Sequence, residues 1–301
     1  MFLVSLMILF VACDPTDNNN NGNVTNYWTT NALVRLQLKG AVHTFTQNGV
    51  KTEFNNDGMK VRVTFPGSDD EQIPGSDDEQ IYTYDAQGRL LSDGSSTFEY
   101  NNLGKFIPNS PFHINHTGLT PNLSAMIGDS SRMDYVFVGD TLWMMEQYTS
   151  STETTRDTTK IYYADKYPTN YMSDGEFMRA TYQANGMFDV YIDGFYGEEG
   201  YTSEHKFTYK KDPQYMLLDK DEVTITDKSG KSYSVTTYTY NEYKDMVASE
   251  TSGPDSYNIT EYYDYEYDAK GNWTSRKIRT KENSEVWGND RVETRTITYF
   301  E

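Results

Sequence analysis

His113 and His116 stand at i and i+3, a spacing at which two imidazoles can share a metal. The chain holds 4 His and 1 Cys, and the pair falls between Pro111 and Gly118 on no evident helix, so it reads as two loop histidines. No metal centre and no cofactor is expected. Ser130, in Met126-Ile127-Gly128-Asp129-Ser130, needs a base to take its proton before it can act as a nucleophile, and no His follows His205. There is no Gly-x-Ser-x-Gly, no phosphate-binding loop and no dinucleotide fingerprint. Two carboxylates ~5–9 Å apart suffice for glycoside hydrolysis. With 45 Asp and Glu the sequence singles out no pair, and a carbohydrate-active hydrolase stays as the alternative function. Trp28, Trp143, Trp273 and Trp287 are the rings that would stack on sugar faces; each serves as readily as a core or cross-strand partner.

The elements that must carry these residues are short strands closed by tight turns. Tyr265-Glu266-Tyr267-Asp268-Ala269-Lys270-Gly271-Asn272-Trp273 reads as strand, turn, strand, and Tyr82-Thr83-Tyr84-Asp85-Ala86-Gln87-Gly88-Arg89-Leu90 repeats it. Looser copies are Phe98 to Lys105, with Asn101 and Gly104 at the turn, and Glu53 to Met59. Alternating aromatics suit a pleated, half-buried surface. The Asp or Asn accepts a backbone N–H two residues on, and the Gly takes a positive φ that closes the turn. Asn185-Gly186, Gly139-Asp140 and Ser229-Gly230 separate further strand pairs with the same chemistry. No window carries a 3.6-residue apolar stripe, so little helix is expected.

The 301 residues allow one large all-β domain or two small ones. A net charge of −19 excludes nucleic acid as a partner, because phosphates would repel the chain. Met1 to Ala12 is almost wholly apolar, too short for the ~20 residues that span a bilayer and of the length of a signal h-region. No Lys or Arg precedes it. The run Asn18-Asn19-Asn20-Asn21 lies in a stretch with nothing to bury, a flexible tether.

The turn unit resembles the YD repeat of RHS-type proteins, aromatic-x-Tyr-Asp-x-x-Gly-Arg-Leu. Tyr82 to Leu90 fits throughout, and Asn272-Trp273 replaces Arg-Leu in the later copy. Phe10-Val11-Ala12-Cys13 resembles a lipobox, which implies a diacylglyceryl group on Cys13. With Leu38-Lys39-Gly40-Ala41-Val42 and the ending Arg295 to Phe300, the whole is similar to a group of Bacteroidetes envelope lipoproteins of unknown function. That resemblance implies attachment to the outer membrane through the N-terminal lipid. Asp140-Thr141-Leu142 and Asp157-Thr158-Thr159 match the O-glycosylation sequon of that phylum, with Thr158 in the more polar stretch. Gly128-Asp129-Ser130 resembles the nucleophile block of GDS-type esterases, whose late Asp-x-x-His is missing.

Along the chain, 1–12 is expected to be signal peptide, 13–27 tether, and 28–301 a YD-repeat-like domain with a candidate subdivision near 105–128. Val34, Leu36 and Leu38 alternate with Arg35, Gln37 and Lys39 as an opening strand. The tandem octads from Pro66 to Ile81 form a solvated acidic hairpin tip, and Lys105 to Gly128 reads as a long loop or junction. A transmembrane barrel is the rival architecture. The expected fold is all-β: consecutive antiparallel hairpins in an extended, twisted, open or partly rolled sheet. The expected function is to present that surface to a glycan or an envelope protein.

Overall fold

A computed structural model describes residues 32–66, 78–108, 119–150, 153–173, 175–196, 200–211, 217–254, 257–283 and 286–301. The signal and tether segments, Cys13, Trp28, His113, His116 and most of the acidic octads lie outside them. The described chain is almost wholly antiparallel β, built hairpin after hairpin as the turn chemistry requires.

In chain order the elements are α1 (Ala32–Arg35), β1 (Val42–Gln47), β2 (Val50–Phe54), β3 (Lys60–Phe65), β4 (Asp78–Ile81), β5 (Thr83–Tyr84), β6 (Leu90–Ser92), β7 (Ser96–Tyr100) and β8 (Phe106–Pro108). They continue with β9 (Leu119–Pro121), β10 (Leu123–Gly128), β11 (Ser131–Val138), β12 (Thr141–Thr149), β13 (Thr154–Ala164), β14 (Tyr167–Ser173), β15 (Glu176–Tyr182) and β16 (Phe188–Phe195). The last are β17 (Tyr201–Tyr209), β18 (Leu218–Asp227), β19 (Gly230–Tyr240), β20 (Met246–Ser252), β21 (Tyr257–Tyr267), β22 (Trp273–Glu282) and β23 (Arg291–Tyr299).

Two compact units divide the chain: an inserted unit, Thr83–Gly197, and a split unit made of Asn31–Tyr82 with Glu198–Glu301. In the inserted unit β5, β6 and β7 run side by side, β7 pairs β10, and β10 to β16 follow as a meander. Met133, Tyr135, Leu142, Met144, Ile161 and Tyr163 line the buried face, at alternate positions as a half-buried sheet demands. Rings continue that core: Phe106 stacks on Tyr167, Tyr167 on Tyr182, and Tyr182 tilts against Phe188. Burial raises the hydroxyl pKa of Tyr163 and Tyr182 well above its usual value, and each hydroxyl donates to a backbone carbonyl, of Phe106 and Pro168 respectively.

In the split unit the order is β4-β3-β2-β1-β23-β22-β21-β20-β19-β18-β17. β1 therefore pairs with its sequence neighbour β2 on one side and with the last strand on the other, from Val42 opposite Tyr299 to Gln47 opposite Arg295. One face of this sheet is charged and wet: Glu261 pairs with Arg279, Asp264 with Lys277, and Glu204 with Lys206. Facing lipid, each Lys or Arg near the midplane would cost ~2–4 kcal/mol, so this face is not one that meets a bilayer core. Among the described residues no helix is long and apolar enough to cross a membrane.

Three expectations are corrected. Leu33 to Leu38 is a helical turn, not a strand: Leu36 N–H donates to Ala32 O and Leu38 N–H to Leu33 O. The i,i+3 pair Leu33 and Leu36 packs with Ala32 against Leu38, Val42, Phe45 and Phe54, and that contact outweighs the alternation. Lys105 to Gly128 is not one long loop; β8 and β9 pair, β10 follows, and Phe106, Ile107, Leu119 and Leu123 are buried. The copy at Phe98 to Lys105 does not fold back on itself. Asn101 accepts from Leu103 N–H and Gly104 has φ +70°, but Asn122 inserts, receiving Asn101 N–H at 2.7 Å and giving its own N–H to Lys105 O at 2.8 Å. β7 is thus returned to β10 instead of to the next residues.

The turn geometry explains both the motif and a copy that sequence reading passes over. In Asp85 and Asp268 one carboxylate oxygen accepts the N–H groups two and four residues on, at 2.9–3.0 Å. Gly88 (φ +78°) and Gly271 (φ +79°) close the loop. Asn241 makes the same pair of bonds, to Tyr243 and Asp245, and Lys244 occupies the glycine position at φ +71°. A left-handed side chain costs ~1–2 kcal/mol, partly offset by the backbone entropy glycine loses. Lys244→Gly is therefore expected to stabilise the protein by about 0.5–1 kcal/mol, read as a higher urea midpoint at unchanged slope; a lower midpoint would show that the lysine stem contributes more than the backbone strain costs.

Candidate functional site

Two places bring chemistry-bearing side chains together in the split unit, and one surface does so in the inserted unit.

The first is a clasp at the turns. Asn272 is buried and uses its whole amide: Oδ1 accepts Lys39 N–H at 2.8 Å, and Nδ2 donates to Lys39 O at 2.8 Å and to Tyr299 Oη at 2.7 Å. Lys39 Nζ donates to Gly271 O at 2.7 Å and Tyr243 O at 3.1 Å, capping two turns at once. The Tyr299 hydroxyl donates to the second carboxylate oxygen of Asp268. In the other copy Arg89 Nε fills that place for Asp85 at 2.7 Å. Burial works to raise the Asp268 carboxyl, but the Tyr299 hydroxyl and the N–H groups of Asn272, Lys270 and Gly271 outweigh it and hold the pKa below its usual value. Asp245, at the position of Asn272 in its own turn, goes the other way. Burial raises it against the pull of Lys39, Tyr267, Arg295 and Arg276, and its Oδ2 has no hydrogen-bond partner among the described residues.

Below the clasp lies Trp273, 2% exposed and therefore a core residue rather than a sugar platform. Arg295 sits 3.4 Å and Arg276 4.3 Å from its ring centroid. Arg276 is fixed by Glu293, to whose Oε2 its Nε and Nη2 donate at 3.0 and 2.7 Å. Burial, then the like charge of Arg276, lowers the pKa of the Arg295 guanidinium.

The second place was not anticipated as a site. On β17, Ser203 Oγ lies 3.1 Å from His205 Nε2, and His205 Nδ1 lies 3.2 Å from both oxygens of Asp221 on β18. Ser203 and His205 share a face because they alternate, and that much is legible in the sequence. Asp221 joins them only through the β17–β18 register, which sets it opposite Phe207. Among the described residues no three or more His, Cys, Asp or Glu cluster as a metal site.

The surface is on the inserted unit. Strands β11, β12 and β13 bring Val136, Trp143 and Lys160 into one cross-strand row, with Val138, Thr141 and Tyr162 on one side of it and Asp134, Met145 and Thr158 on the other. Trp143 is half-buried at the centre, with Lys160 Nζ 4.2 Å from its ring centroid. Val136, Val138, Met145 and Tyr162 are exposed, Val138 by 63%. Both sequon threonines, Thr141 and Thr158, stand in this grid. The fourth tryptophan, Trp287, is half-buried in the split unit with Arg279 over its ring at 4.4 Å. Ser130 lies in the bend between β10 and β11, where its carbonyl accepts Thr149 N–H.

Fold and contacts together define the class: an all-β protein of consecutive antiparallel hairpins with side-chain-capped turns. No protein family and no curated protein matches the chain. Among solved structures it is similar to a porin-like protein from Bacteroides uniformis, at 12% identity and TM-score 0.24 over 58% of this chain and 93% of that one. A porin-like protein from Bacteroides vulgatus gives 9% and 0.25, over 71% and 92%. The Tc holotoxin pore of Photorhabdus luminescens gives 12% and 0.19, over 79% of this chain but 15% of that one. Scores of this size carry no weight for function.

Proposed function

We propose that the protein is a lipid-anchored cell-envelope protein that binds a glycan or a glycan-bearing partner through the outward face of β11–β13. The observation that carries the reading is the grid around Trp143. An indole at its centre, ringed by exposed Val136, Val138, Met145 and Tyr162, offers an apolar surface with the Lys160 ammonium beside the indole and threonine hydroxyls at the margin. Binding sites of this kind combine an aromatic body with a few polar groups that fix orientation. The apolar N-terminal run and Cys13 support attachment to the membrane, with residues 13–27 as the spacer.

A glycan array followed by titration tests the reading. Trp143→Ala is expected to weaken the best ligand at least tenfold, about 1.4 kcal/mol, with Tyr162→Ala weakening it less. Equal affinities for wild type and Trp143→Ala across every glycan bound would overturn it. Mass spectrometry of the mature N-terminus checks the anchor; an unmodified Cys13 would remove that half of the proposal.

A further inference from the structure

The trio on β17 and β18 lies in a different unit from the binding face. We propose that Ser203 is a base-activated nucleophile, with His205 as its general base and Asp221 as the orienting group, and that it reacts with small neutral carboxylic esters.

Geometry supports the roles. The Asp221 carboxylate faces Nδ1 and so selects the tautomer that carries its proton there, leaving Nε2 to accept from Ser203 Oγ at 3.1 Å. The ring is further fixed by stacking on Phe207, centroids 5.8 Å apart at 15°. His205 and Asp221 are 28% and 16% exposed at the side chain, reachable from solvent yet not free to wander. All three stand on paired strands, whose register runs from Tyr201 opposite Asp227 to Tyr209 opposite Leu218, so their spacing is set by the backbone ladder. Ile225, directly across from Ser203 and 40% exposed, offers an apolar seat for a short acyl chain. A charge of −19 disfavours anionic substrates.

The step balances without a further reactant. Ser203 Oγ bonds to the ester carbonyl carbon as its proton passes to His205 Nε2. The ester C–O bond then breaks, and the imidazolium returns the proton to the leaving alkoxide, releasing an alcohol. Water, deprotonated by the same nitrogen, attacks the acyl-serine and releases the acid. An oxyanion donor is not part of the trio, so the expected gain is that of a positioned base, ~10²–10⁴-fold over an ordinary serine.

The full chain is treated with a fluorophosphonate probe and, separately, with p-nitrophenyl acetate. The expected result is a single adduct on the peptide containing Ser203 and a burst of nitrophenolate close to one per chain. Ser203→Ala should abolish both, with an unchanged circular dichroism spectrum. His205→Gln and Asp221→Asn should slow labelling at least tenfold. Labelling no faster than that of the urea-unfolded chain, an adduct at another residue, or labelling that survives Ser203→Ala would each overturn the proposal. Because Ser203 and Trp143 lie in different units, loss of glycan binding leaves this result unaffected.

Discussion

Trp273→Ala is expected to destabilise the split unit by about 4 kcal/mol, the middle of the range for deleting a buried aromatic. The ring is 2% exposed, and it meets two guanidinium groups and the edge of Tyr265. Its removal opens a cavity and also strips Arg295 of the surface it lies on, beside the like charge of Arg276. Trp273→Phe should lose less, since a smaller ring still fills part of the space. Chemical denaturation followed by circular dichroism measures both. A loss below 1 kcal/mol for the alanine variant would mean that the arginines and their partners close the gap without the indole.

Asn272→Ala is expected to cost about 3 kcal/mol. Three hydrogen bonds vanish together, and the N–H and carbonyl of Lys39, as well as the hydroxyl of Tyr299, lose partners in a half-buried setting. An unmatched buried polar group costs ~1–3 kcal/mol, so the loss exceeds that of the bonds themselves. Asn272→Asp should recover little, because a carboxylate cannot donate to Lys39 O. Amide hydrogen exchange provides a local readout: protection at Lys39 should fall by more than tenfold in the alanine variant. Unchanged protection there would show that the N-terminal segment is held by its apolar contacts alone.

How much was legible follows from how far each contact reaches. The turns at Asp85 and Asp268 are readable because every bond that defines them closes within five residues. Lys244 hid its turn because glycine is the visible mark, while Asn241 does the bonding. The turn at Asn101 failed because its partner, Asn122, comes from beyond the next two strands. Face choice was least readable. Hydropathy would bury Val292 and expose Glu293 and Arg295; the protein leaves Val292 59% exposed and turns Arg295 onto Trp273. A cation becomes a core residue only if a ring and counter-charges already wait for it, and here the ring, Trp273, and one of those charges, Asp245, come from outside its strand. Ser203 and His205 were visibly on one face, but Asp221 needed the register.

The pairing of β1 with β23 bears on how the chain must be made. A polypeptide emerging from the ribosome presents β1 long before its second neighbour, β23. Until Arg291 to Tyr299 arrives, the far side of β1 is an open template for any passing strand. Without Arg291 to Tyr299 that template stays open, so loss of β23 exposes the backbone of β1 as well as its own place in the sheet.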